Sequence, residues 1–151
     1  VSFKAILFDL DGTLLPLEFA DFMPLYLSRV ESYFHSIFEP GKVSEAIMVS
    51  TNAMINNDGS RSNADAFWPD FAARLGRSRE DLEPLFETFY KQEFPKLGRD
   101  IAVWPEAAVA VDSAVKREAV TVCATNPVFP RSAIDHRLNW AGIRPDAFDL
   151  V

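Results

Sequence analysis

Two continuously apolar runs, Ala5-Ile6-Leu7-Phe8 and Ala119-Val120-Thr121-Val122-Cys123-Ala124, bracket a long stretch whose apolar residues recur every three or four positions. No other feature restricts the fold as much. Each run is too short to be a helix by itself, and each suits a central parallel strand covered on both faces. Between them the segments 17–39, 43–57, 63–76 and 79–97 carry helical spacing, as in Phe19, Phe22, Met23, Tyr26 and Leu27. Four consecutive helices of this kind predict a small bundle.

Pro40-Gly41, Asp58-Gly59 and Gly76 mark the breaks in that bundle, and Ser78 with Asp81 three residues on resembles an amino-terminal cap. Pro24 and Pro69 lie inside periodic stretches, where they should kink a helix or shift its start. Beyond Gly98 a helix is expected from Pro105 to about Arg117, then the second strand, then a helix from Arg131 to Ala141 closed by Gly142. Phe148-Asp149-Leu150-Val151 looks like the start of a third strand. The order strand, helical insertion, helix, strand, helix, strand predicts an α/β parallel-sheet domain, residues 1–15 and 99–151, interrupted by an all-helical cap at 16–98.

With 151 residues, 48% of them hydrophobic, the chain is able to bury a core of its own. Fifteen Lys and Arg against 22 Asp and Glu give a net charge of -7, which offers no long-range attraction to nucleic acid or to an anionic membrane. An anionic ligand must then be held locally. The single cysteine, Cys123, has no partner for an internal disulfide and sits in an apolar run, so a core position in a reducing compartment is expected. No apolar stretch of about 18 residues and no cleavable leader pattern is visible. The expectation is a cytoplasmic protein, and the opening Val1 in place of Met is expected of a processed, trimmed or incompletely represented product.

Chemistry is expected where parallel strands end at their carboxyl edge. Asp9 and Asp11 follow the first strand directly, and their spacing of two puts both side chains on one side of an extended backbone. Two carboxylates that close repel unless a cation or a shared proton offsets them, and a hard ion such as Mg²⁺ meets that need. Gly12 permits positive φ and close approach of a phosphate, consecutive amides there can form an anion nest, and Thr13 adds a hydroxyl. His35 and His136 have no neighbours at metal-ligand spacing, and Asp58, Asp65 and Asp70 read as a solvated face. The aromatics Phe19, Phe22, Tyr26, Phe34, Phe67, Trp68, Phe71, Phe86, Phe89 and Tyr90 read as bundle core.

Phe8-Asp9-Leu10-Asp11-Gly12-Thr13-Leu14 after an apolar strand closely resembles the first signature of the haloacid dehalogenase superfamily, and Thr125-Asn126-Pro127 after the second strand resembles its second. The resemblance spans essentially the whole chain. It implies a Rossmann-like core and a Mg²⁺-dependent phosphohydrolase acting on a small phosphorylated metabolite. Asp9 then corresponds to the nucleophile that forms an aspartyl-phosphate, and Asp11 to the general acid and base. Thr125 corresponds to the hydroxyl that orients the phosphoryl group, with the Asn126 amide assisting. Mg²⁺ would be held by the Asp9 carboxylate and the Asp11 backbone carbonyl. The dehalogenase branch usually lacks the second aspartate, so Asp11 favours phosphate chemistry.

A third signature, a lysine, and a fourth, an acidic pair, would lie past Val151, and Lys116 precedes the second signature and cannot stand for that lysine. Two readings follow from that departure. One is an amino-terminal portion of a longer enzyme, inactive on its own; the other is a degenerate relative that binds without turnover.

Overall fold

The computed structural model describes residues 3–151, so the expectation attached to Val1 lies outside the described residues. Strand β1 (Ala5–Phe8) is followed by helices α1 (Phe19–Phe34), α2 (Lys42–Ile55), α3 (Asn63–Leu75) and α4 (Arg79–Gln92). A 3-10 helix at Phe94–Gly98 leads to helix α5 (Pro105–Val115), strand β2 (Val120–Cys123), helix α6 (Arg131–Trp140) and a second 3-10 turn at Pro145–Ala147. Among the described residues no helix is long and apolar enough to cross a membrane.

The expected α/β, Rossmann-like core is not what forms. The described chain is mostly helical, and its only sheet is the parallel pair of β1 and β2, four residues each. Phe148–Val151 does not become a third strand. It contributes one isolated bridge, Val122 to Leu150, with the Cys123 amide donating to the Leu150 carbonyl at 2.9 Å. The physical reason lies in the apolar runs themselves. A central parallel strand is buried on both faces, whereas Leu7, Val120 and Leu150 remain largely exposed here, so the runs pair with each other without a covered sheet around them.

Contacts divide the chain into two compact units, one of residues up to Met23 together with Pro95–Val151, the other Pro24–Phe94. In the second unit α2 packs chiefly on α3. Its core is aromatic: Phe34 lies 4.5 Å from Phe86 between ring centroids, and Phe71 lies 5.2 Å from the same ring. Val30, Val43, Phe71, Leu82 and Phe89 are buried with them. The helix ends follow local chemistry. The Ser62 and Ser78 side chains accept from the amides of Asp65 and Asp81, and α3 closes on Gly76 in the left-handed region at φ 66°.

In the first unit, Phe22 is buried. Its ring packs edge-on against Phe129 and Trp140, each 6.0 Å away. Helix α6 buries Ala133, Ile134, Arg137 and Leu138, a stripe at helical spacing that contains one charge.

Candidate functional site

The two strands pair in the register Ala5 with Val120 through Phe8 with Cys123. The Ala124 amide extends the ladder by donating to the Phe8 carbonyl at 2.7 Å. The chain after Phe8 and the chain after Ala124 therefore leave the sheet at the same carboxyl edge, the edge where open parallel sheets receive ligands. Asp9 to Thr13 belong to the first exit, Thr125 and Asn126 to the second.

The first exit is a tight loop anchored by apolar residues. Leu10, Leu14 and Leu15 are buried, and the amides of Leu14 and Leu15 donate to the Leu10 carbonyl at 2.9 and 2.8 Å. Gly12 sits at φ 73°, a conformation that a side chain rarely tolerates. Its amide donates to the Leu15 carbonyl at 2.8 Å, and the Thr13 amide to the Leu10 carbonyl at 3.3 Å. This corrects the expected anion nest. Those amides are spent inside the loop, so what Gly12 contributes is the turn, and Thr13 has its hydroxyl left to donate. That hydroxyl donates to Oδ2 of Asp9 at 3.1 Å. Asp9 is exposed, as are Gly12, Thr13 and Asn126, while Thr125 is half-buried.

Asp11 turns the other way and meets a partner the sequence reading did not name. Its Oδ2 forms an ion pair with Nη2 of Arg137, whose side chain is only 2% exposed. The Arg137 guanidinium carbon lies 5.3 Å from the centroid of the Phe129 ring, a cation–π arrangement. Burial pulls Arg137 down from the usual arginine range to about 10, and the negative charge of Asp9 works in the opposite direction. Two buried atoms of the pair, Oδ1 of Asp11 and Nε of Arg137, have no hydrogen-bond partner. The sequence did hold a signal for Arg137: with Ala133, Ile134, Leu138 and Ala141 it falls on the apolar stripe of a predicted helix, where a charge is costly unless paired.

Cys123 is buried as expected, and burial first, then the charge of Asp9, push its thiol up to about 11. His35 donates from Nδ1 to the Ser32 carbonyl of α1, 2.8 Å away. Among the described residues no three His, Cys, Asp or Glu side chains gather into a set able to hold a metal ion. A cavity of about 550 Å³ opens beside the amino end of β2, between α5 and the segment after Gly142, and none of the six candidate residues lines it. The candidate site is thus the carboxyl edge and not this cavity. Compared with known proteins, the chain matches no family model and no curated protein.

Proposed function

We propose that the chain transfers a phosphoryl group from a small phosphorylated metabolite to water through Asp9, the reaction implied by its resemblance to the haloacid dehalogenase superfamily. The observation that supports this most is the parallel register, which brings the Asp9 loop and the Thr125 loop off one sheet edge. An exposed Asp9 carboxylate is accessible to a phosphorus atom. In the first half-reaction an Asp9 oxygen attacks phosphorus, the bond to the leaving oxygen breaks, and Asp11 gives that oxygen a proton. In the second, water attacks the phosphorus of the aspartyl-phosphate and passes a proton to Asp11, which releases inorganic phosphate and restores the Asp9 carboxylate. The hydroxyls of Thr13 and Thr125 and the Asn126 amide are the donors that would orient the phosphoryl oxygens.

Asp9 suits Mg²⁺ in kind, since that ion generally takes one or two carboxylates and completes its shell with water and phosphate oxygens. With the Asp11 side chain engaged by Arg137, any part of Asp11 in holding the ion falls to its backbone carbonyl. When bound, Mg²⁺ would offset negative charge as Asp9 and the phosphate approach. The test is hydrolysis of an aryl phosphate by the full-length protein with and without Mg²⁺. Turnover that depends on Mg²⁺ and vanishes in Asp9→Asn is expected; full activity in that variant, or after chelation, overturns the proposal.

A further inference from the structure

We infer that Glu18 sets the substrate preference of this site, favouring a phosphate ester whose leaving group carries an ammonium, an inference that rests on the phosphoryl-transfer reading above. Glu18 stands directly before α1, and its carbonyl takes the amides of Asp21 and Phe22 at 3.1 and 3.0 Å. Its carboxylate takes none of them, and among the described residues it has no hydrogen-bond or ion-pair partner. It reaches back instead to the turn that follows β1, where a Cβ placed on Gly12 would lie 3.6 Å from Oε1 of Glu18. Glu18 and Gly12 are both exposed, so the charge stands in solvent beside the loop that presents Asp9. The dipole of α1 favours an acid at this end of the helix, which accounts for the charge but not for its reach to Gly12.

The nearby charges leave Glu18 unmatched. Asp11 is paired with Arg137, and Asp9 takes the Thr13 hydroxyl. A phosphate ester brought to Asp9 therefore meets one further negative charge, which works against neutral and anionic leaving groups and in favour of one that brings a cation. The next residue supplies an apolar surface. Phe19 is 45% exposed, and its ring lies edge-on 6.3 Å from Phe129, the ring beside the Arg137 guanidinium. A carboxylate and an exposed aromatic ring in consecutive positions suit an alkylammonium, the first by its charge and the second by contact with the alkyl chain and attraction to the cation.

The experiment compares 2-aminoethyl phosphate with propyl phosphate, esters of equal length that differ in the ammonium, by kcat/KM on the full-length protein with Mg²⁺. The wild type is expected to favour the amino ester about fivefold, the upper end for an exposed ion pair. Glu18→Gln, which keeps the shape of the side chain, should remove that preference by slowing the amino ester and speeding the propyl ester. A Glu18 that served only α1 would change both esters alike. Binding is read separately, by calorimetric titration of 3-aminopropyl phosphonate and butyl phosphonate, whose phosphorus–carbon bonds survive the reaction. The amino compound should bind the wild type about fivefold more tightly than the butyl one, and Glu18→Gln with no such difference. Turnover without an amino preference in the wild type, a preference kept in Glu18→Gln, or equal binding of the two phosphonates by the wild type overturns the role of Glu18 while leaving Asp9 chemistry intact. Absence of turnover with both esters, or turnover indifferent to Asp9→Asn, overturns both.

Discussion

Arg137 and Asp11 meet as an ion pair in which the cation is almost wholly buried and the carboxylate is about a fifth exposed. The asymmetry has an energetic consequence. Removing Asp11 strands a guanidinium with little access to water, whereas removing Arg137 strands a carboxylate that still has some. Asp11→Ala is therefore expected to destabilise the fold by about 3–5 kcal/mol, the range for breaking a buried pair, and Arg137→Met by less. Urea unfolding midpoints of the two variants check the order. A wild-type midpoint for Asp11→Ala would mean the pair contributes nothing to stability.

A second expectation concerns alkaline pH and the helical unit. The Tyr26 and Tyr90 hydroxyls lie 2.8 Å apart. Burial pushes Tyr26 up to about 12, and the hydrogen bond shared with Tyr90 offsets only part of that. Between pH 10 and 12 the folded state thus holds a proton that the unfolded chain has lost. The resulting stability is complete below pH 10 and disappears as pH rises through 12, with a total of roughly 2–3 kcal/mol. Denaturation midpoints followed over that window should fall steeply in the wild type and more gently in Tyr26→Phe. Identical slopes would place the alkaline transition elsewhere.

The two serine caps give a third. Ser62 and Ser78 each accept from an amide three residues on and each donate to that residue's carboxylate, at 2.7 Å to Asp65 and 2.9 Å to Asp81. Alanine at either position leaves an amide of the first turn without its partner and should cost about 1 kcal/mol. The two losses should add, because the caps belong to different helices. Calorimetry on the single and double variants measures both the size and the additivity.

Much of the local order was legible in the residues. Strand β1 coincides with its apolar run, and the helix breaks fall at Gly41, Gly76 and Gly142, all with positive φ. The Ser78 cap was visible because a serine with an acid three residues on satisfies a helix amide by itself, without tertiary help. What failed were inferences that needed a neighbour. Reading Ala5–Phe8 and 119–124 as central strands assumed further strands and cover on both faces, and the described chain supplies one pairing. The nest at Gly12 failed similarly, since the buried Leu10 and Leu15 bring the carbonyls that take the loop amides. Arg137 went unnoticed because a charge within a short helix reads as surface until the stripe it shares with Ile134 and Leu138 is counted.

The last expectation turns on Gly98, at the end of the 3-10 helix that enters the first unit. Its φ is not in the left-handed region, so the backbone there does not itself call for glycine. The constraint is space. A Cβ at this position would lie 2.2 Å from Nε1 and 2.3 Å from Cδ1 of Trp140, far inside any tolerable contact. Trp140 cannot retreat freely, because its ring also packs against Phe22 at 6.0 Å. Gly98→Ala should therefore displace the indole and cost about 1–3 kcal/mol, the scale of an overpacked core. Trimming the obstacle should relieve the clash: in a Trp140→Phe background, where the ring is smaller, the same alanine should cost measurably less. The reading is the coupling energy between the two positions from urea denaturation. A Gly98→Ala cost that is the same in both backgrounds would show that Trp140 is not what keeps this position glycine.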